Sequence, residues 1–423
     1  MRTLTFVALT GFGALICADA RASGFMVREN SATTVGTMYA GNGSRADAPE
    51  TAFNNPAGLT RLTESQIEFG STVILPSIQF RGGASVLNTP IVGNDGGNSG
   101  QTAVVPNLYW VFAFSDKLKA GVAVTVPFGN GIKYDPGWSG RYLGIKTQAL
   151  SADVNPNIAY KLNDMFSVGG GVSAQYLKID VSSAVPQFVI FGPAAGDGFY
   201  EFKADDWAFG YNVGALADLG GGTRVGLTYR SKIDHRIEGS LDFMETSPLL
   251  GLVSGSAHAD VHLPGTAGLS VTDDLASNFS LSADMQFTGW SVFNKVIIES
   301  QNPPFSNDEG FRDSWMISFG GVYRADDRWT LRSGVAWDQT PVTDRFRAVS
   351  LPDHDRYMMG VGFGYKLTDS ISLDGAYAHS FAWPHATMNS SVNNTDQITH
   401  AVVLNGIYDV AVDILSFSVG YKL

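Results

Sequence analysis

The chain has one cysteine, Cys17, and it falls within the first 22 residues. The rest of the sequence can form no disulfide, Cys-ligated metal site or thiol nucleophile. Charge is scarce as well. Asp, Glu, Lys and Arg make up 16% of the residues, against about 25% in ordinary soluble domains. The net charge is −12 and no basic block occurs, which argues against a nucleic-acid partner. With 44% hydrophobic and 12% aromatic residues, the composition is not that of a disordered chain. Long apolar runs are missing too. None reaches the ~20 residues that a membrane helix needs. The nearest, Leu4 to Ala18, follows Arg2 and precedes Ala20-Arg21-Ala22. That is the charged start, apolar middle and small-x-small end of a secretory leader, so residues 1–22 are read as a signal peptide. Ile16, just before Cys17, is too large for a lipoprotein acceptor site.

Enzyme signatures are also wanting. The sequence has no G-x-S-x-G, H-E-x-x-H, phosphate-binding loop or dinucleotide fingerprint. His258 and His262 are four apart, which in a strand separates them by about 13 Å, too far to share a metal. No catalytic residue, metal or cofactor is expected. His379 next to Ser380 is the one hint of a hydrolase, and adjacent strand residues face opposite ways.

What the sequence does have is glycine, 48 residues of it, and strict alternation. Phe166, Val168, Val172, Ala174 and Tyr176 fall on one face of a strand, with Ser167, Gly169, Gly171, Ser173 and Gln175 on the other. The pattern recurs through Phe279–Thr288, Arg328–Asp338, Tyr357–Lys366 and Leu415–Leu423. Short polar turns at Ser115-Asp116-Lys117, Asn163-Asp164, Gly220-Gly221-Gly222, Asp273-Asp274, Asp326-Asp327 and Thr368-Asp369 alternate with longer stretches. These run roughly over 81–103, 127–146, 181–206, 243–257, 300–310, 339–354 and 381–398. Such alternation is that of periplasmic turns and extracellular loops. Six turns and seven loops join 14 strands, an even number that returns both ends to the periplasm. The fold class predicted is all-β: a 14-stranded antiparallel transmembrane barrel, closed because lipid tolerates no unpaired strand edge. Its inner face is small and polar, so it would be an open pore unless something filled it. Residues 23–62 precede the first strand and do not alternate. They are predicted to be an N-terminal plug of short helices, with 63–423 forming the barrel.

The segment reads Ser23-Gly24-Phe25, then Glu29-Asn30-Ser31, Gly36, Ala40-Gly41, Ala46-Asp47 and Asn55-Pro56-Ala57-Gly58-Leu59. This ordered set resembles the plug of the outer-membrane long-chain fatty-acid transporters, the FadL family, which also includes aromatic hydrocarbon channels. Pro106-Asn107 and Pro156-Asn157 extend the resemblance into strands two and four. One departure is the C-terminus. Barrels of this kind usually end in an aromatic, and this chain ends in Leu423, with Tyr421 and Phe417 keeping the outward pattern. The resemblance implies passive uptake of a long-chain fatty acid or another hydrophobic molecule, with membrane lipid around a monomeric barrel. It assigns Gly24, Phe25, Glu29, Asn55, Pro56 and Ala57 to the plug. Physics adds that Gly36 and Ala40 would share a helix face and let the backbone approach the wall. Asn55 is pushed toward extended structure by Pro56.

Three further groups are candidates for function. Phe188, Ile190 and Phe191, with Leu249, Leu250 and Leu252, put apolar side chains in the third and fourth loops. In the family a groove between these loops captures ligand, and mutual packing of the loops is the alternative. Pro127-Phe128-Gly129 follows strand three, where the family has a kink that opens the wall sideways. The alternative is a strand that simply ends. Arg230 and Arg332 face inward by parity and could hold a carboxylate, or pair with lumen acids such as Asp284. A barrel-embedded lipase, a general porin and an aromatic or alkane hydrocarbon channel are the competing functions.

Overall fold

The computed structural model describes residues 24–86, 88–192, 194–389 and 402–423. The leader lies outside them, as does most of the last loop. Fourteen strands close into one antiparallel barrel: β1 Gln66–Val86, β2 Ala103–Ala113, β3 Leu118–Thr125, β4 Lys146–Lys161, β5 Phe166–Val185, β6 Gly198–Asp218, β7 Thr223–Arg230 with Ile233–Met244, β8 Gly255–Leu263 with Thr266–Ala276, β9 Phe279–Thr288, β10 Ser314–Arg324, β11 Trp329–Asp338, β12 Arg356–Lys366, β13 Ile371–Ala382 and β14 Val402–Lys422. Each pairs with the next, and β1 closes on β14 from Gln66↔Lys422 to Val86↔Val402. About 10 residues suffice to cross a bilayer. β1, β5, β6 and β14 have 20 or 21, so the wall continues above the membrane on the loop side.

Alternation is realised as lipid-facing and lumen-facing sides. Val172, Phe209 and Phe417 point outward and are 61%, 77% and 57% exposed, while Ser173, Ser416 and Gln175 are buried inside. Five of the six expected turns sit where the polar pairs place them. The sixth moves. Asp273 and Asp274 remain in β8, and the chain reverses at 277–278. The reason is local: Asp274 is held across the wall by Arg224 at 2.6 Å and by Ser280. The third loop is shorter than expected, 186–197, because β5 and β6 stay paired up to Val185↔Gly198.

Residues 24–62 lie within the barrel and are largely buried. Helix α1, Ala32–Gly36, is capped by the Ser31 hydroxyl. It is shorter than the Gly36–Ala40 spacing predicts. Thr37 closes it with side-chain bonds to Thr33 and Ala40 carbonyls, and Met38 and Tyr39 then take left-handed backbone. Gly36 and Ala40 still touch the wall, at Gly362 and Gly320 respectively. Helix α2, Thr51–Asn54, stops at Asn55, which is extended (φ −152°, ψ 101°). A 3₁₀ turn, Pro56–Arg61, then leads to β1. The small inner residues of the wall form the mould for this segment. A methyl group on Gly226 would strike the Gly43 carbonyl, and one on Gly334 the Thr37 carbonyl.

Candidate functional site

The upper lumen contains a cavity of about 250 Å³ beneath the extracellular loops. Its walls come from the extended halves of β5, β6 and β7 through Leu177, Phe202 and Ile237, and from the hairpin after β9 through Phe293, Ile298 and Phe305. These strands outrun the membrane, so their inner faces are free to be apolar rather than glycine-smooth. Two cations reach the cavity, Lys146 and Arg347. Both are already engaged. Lys146 pairs with Asp180, and Arg347 with Asp344 at 2.8 Å and with the Asp353 carbonyl. Glu309 also lines it, and burial pushes its carboxyl up to about 7. Sequence reading missed all three: Glu309 and Arg347 sit on segments where parity carries no information, and Lys146 begins β4 at the end of a stretch read as loop.

The cavity floor is a ring cluster. Phe25 packs on Trp290 at 4.9 Å between ring centres and on Phe128 at 5.9 Å. Trp290 is fully buried. Gly24 is left-handed (φ 62°), and a Cβ there would press on the Trp290 ring, so both its conformation and its lack of side chain are required. The Gly24 N–H donates to Asp353 at 3.0 Å. Asp353 in turn accepts from Thr340 and pairs with Arg356, which ties Gly24 to the loop between β11 and β12.

The wall breaks beside this floor. β1 pairs with β2 from Ala103 onward, yet β3 pairs with β2 only from Leu108. Residues 103–107 thus lack a ladder on the β3 side. β3 ends at Thr125 and resumes against β4 at Gly129–Lys133 with its register shifted. Pro127 has no N–H to give, and its carbonyl turns inward to accept from Val27 at 2.9 Å. The Gly129 N–H donates to the Phe25 carbonyl at 2.8 Å. The Phe128 N–H stays with the Ser151 hydroxyl, and its side chain is buried in the lumen, not in lipid. Gly129 is not left-handed; what it supplies is the amide that Phe25 accepts from.

Below lies a second cavity of about 100 Å³, lined by Met26, Val27, Phe53, Pro127, Phe128 and Arg230 among others. The Phe25–Val27 segment therefore separates the two chambers. Arg230 lies 4.1 Å over the Phe53 ring and donates to Ser173 and the Phe53 carbonyl. Arg332 lines neither chamber and pairs with Asp374 at 2.7 Å. Asp284, its expected alternative partner, instead accepts the Gly41 amide at 2.6 Å and the Ser270 hydroxyl. Glu29 accepts from Tyr39 at 2.8 Å. Asn55 is fully buried. Its Oδ1 caps the Ala57 N–H, and its Nδ2 donates to Gly43 at 2.6 Å and to Ala215 of β6, which gives the Asn-Pro-Ala string a physical purpose.

At the top, Gln187 joins the third and fourth loops. It accepts from the Ser247 amide at 2.6 Å and donates to the Glu245 carbonyl at 2.9 Å. This brings the short helix Phe188–Phe191 beside the turn Pro248–Leu250. Ile190 and Leu249 are 65% and 84% exposed, Phe191 is exposed, and Phe188, Leu250 and Leu252 are half-buried.

Residues 13–423 match the family model described as outer membrane protein transport protein (OMPP1/FadL/TodX). A long-chain fatty acid transport protein of Escherichia coli O6:H1 is 29% identical over 86% of this chain and 89% of its own length. A putative outer membrane protein of Neisseria meningitidis serogroup B is also 29% identical over 86% and 87%. The crystal structure of a Pseudomonas aeruginosa FadL homologue superposes with a TM-score of 0.88 at 26% identity, covering 94% of this chain and 99% of that one. A Pseudomonas putida toluene transporter, at 15% identity and a TM-score of 0.70, shares the fold. The chain is an outer-membrane β-barrel belonging to the FadL family of outer-membrane transport proteins.

Proposed function

We propose that the protein is a passive outer-membrane channel for hydrophobic molecules, long-chain fatty acids before others, and that it leaves ligand in the membrane through the wall at Pro127-Phe128-Gly129. The observation that carries this reading is the continuity of one apolar path. Exposed Ile190 and Leu249 stand above a cavity walled by Phe202, Ile237 and Ile298, whose floor is Phe25, Phe128 and Trp290. That floor lies against the only segment of β3 that leaves its neighbour. Each CH₂ moved from lipid to water costs about 0.8 kcal/mol, so sideways release into lipid is favoured over release into the periplasm. Residues 23–62 act as the plug, and 63–423 as a wall that works as a monomer with membrane lipid as recipient.

A lipase reading gains no support from His379. Its Nδ1 bonds Asp413 at 2.8 Å on the outer face, whereas Ser380 is buried on the inner face. The test is uptake. Expression in a bacterium deleted for its own fatty-acid transporter should restore growth on oleate, and mass spectrometry of the purified protein should find bound fatty acid. Phospholipid hydrolysis by pure protein, or steady ion conductance through the intact chain, would overturn the reading. Toluene entry without oleate entry would move it to aromatic hydrocarbons.

A further inference from the structure

We infer that the periplasmic mouth of the barrel holds a small oxyanion, a carboxylate or a phosphate, on Lys119. A polar cavity of about 350 Å³ opens there, between the plug's last turn and the ends of β3–β6. Thr60 and Arg61 face it from the last turn before β1, Thr63 from the link to β1, and Lys119, Lys161 and Ser167 from the wall. Lys119 is on the inner face of β3 and only 3% exposed. Among the described residues its ammonium has no hydrogen-bond or ion-pair partner, and none of the acids that line the cavity, Asp116, Asp164 and Asp218, pairs with it. The other cations are committed: Arg61 holds Asp218 at 2.8 Å, and Lys161 holds Asp164 at 2.9 Å. Asp116 shares the cavity but is exposed and makes no pair with Lys119.

A largely buried ammonium without a bonded partner is unfavourable, and a small anion in this cavity supplies one. The Thr60 hydroxyl donates to the Ala57 carbonyl at 2.9 Å and lies 2.8 Å from the Ser167 oxygen, so these two hydroxyls are engaged with each other and with the backbone. The donor is thus the Lys119 ammonium, flanked by Arg61 and Lys161. It suits a compact acceptor-only group and not a cation or a neutral alcohol. Such an anion would bridge the plug's end to the wall where the plug becomes β1. The inference is independent of what the upper cavity binds.

The test is thermal melting of the full mature protein in detergent, at matched ionic strength, in chloride, inorganic phosphate, acetate or dodecanoate. Phosphate or acetate should raise the wild-type midpoint by about 2 °C over chloride. Lys119→Met should lose that response and melt in chloride no lower than wild type, because it deletes the unpartnered charge. Lys119→Arg should keep the response. Equal effects of acetate and dodecanoate, after subtracting those on Lys119→Met, identify a free small anion. A larger Lys119-dependent effect of dodecanoate identifies the head of an alkyl carboxylate. A wild type indifferent to all three anions, or a Lys119→Met variant that responds like wild type, overturns the inference.

Discussion

The Val27 amide donates to the Pro127 carbonyl at 2.9 Å. With the reciprocal bond from Gly129 to Phe25, this makes the plug a surrogate neighbour for the part of β3 that has left β2. A barrel in lipid cannot leave backbone groups unpaired. The break in the ladder is therefore tolerable only while the plug's first residues stay in place, and any movement of Phe25–Val27 uncovers it.

Replacing Pro127 by Val and Gly129 by Thr supplies an N–H and a strand-forming side chain at the break. Regular pairing of β3 with β2 should extend toward Ala103. Fatty-acid uptake should fall to background while binding to the purified protein persists. Transport at wild-type rate by this variant would show that ligand leaves elsewhere.

Removing residues 24–57 takes away the mass that meets the wall glycines. The barrel's own ladder is left intact, so the variant should still fold, show heat-modifiable gel mobility, and conduct ions in planar bilayers. A deletion variant that stays closed would mean the loops, not the plug, seal the lumen.

Asn55→Ala is the milder lesion. It leaves the Ala57 amide and the Gly43 and Ala215 carbonyls without their partner in a buried site, at about 1–3 kcal/mol for each group left unsatisfied. Flickering conductance and a lower melting temperature are expected. Asn55→Asp keeps the acceptor for Ala57 but sets a carboxylate oxygen against the Gly43 and Ala215 carbonyls in a buried site, and should be at least as damaging. Silent single-channel records for Asn55→Ala would show that the latch is elsewhere.

Much of this architecture is legible in the sequence because strand parity is a strict physical rule. Phe166–Tyr176 and Leu415–Leu423 divide into lipid and lumen faces as the structure has them, and the count of 14 strands follows from the turns. Parity gives the side of the wall but not the height along it. Arg230 and Arg332 are both inward, yet only Arg230 reaches a chamber, while Arg332 is absorbed by Asp374. The upper cavity was not readable. Lys146, Trp290, Glu309 and Arg347 meet only because the loops and the hairpin after β9 fold back over the barrel, and no periodicity announces that. Asn55 was legible as a break before Pro56, but its bond to Ala215 depends on where β6 passes.

Arg230 lines the lower chamber together with Pro127 and Phe128, and we expect it to meet a fatty-acid carboxylate there. A charge-assisted contact is worth roughly 1.5–3 kcal/mol, so Arg230→Ala should weaken fatty-acid binding about tenfold or more. Binding of the methyl ester should change little. Arg332→Ala should leave both ligands unaffected in affinity and destabilise the fold through the unpaired Asp374. Equal loss of acid and ester in Arg230→Ala would point instead to collapse of the Phe53 packing.

Glu309 gives the upper cavity a pH dependence. Burial pushes its carboxyl up to about 7, against the opposing hydrogen bond from the Asn307 amide at 2.5 Å. The unfolded chain releases this proton near 4.5, earlier than the fold does. The native state therefore binds the proton more tightly, and stability declines as pH rises from about 4.5 to about 7, then levels off. Above pH 7 the cavity carries a negative charge facing any bound carboxylate. At an effective dielectric near 20, roughly 1 kcal/mol of repulsion should weaken fatty-acid binding about fivefold between pH 6 and pH 8. Glu309→Gln keeps the shape and the Asn307 contact without the charge. The difference between wild type and this variant isolates the protein's contribution from the ionisation of the ligand itself. Binding isotherms at both pH values should show the step in wild type and a smaller one in the variant. Identical pH profiles for the two proteins would mean that Glu309 stays in one protonation state throughout.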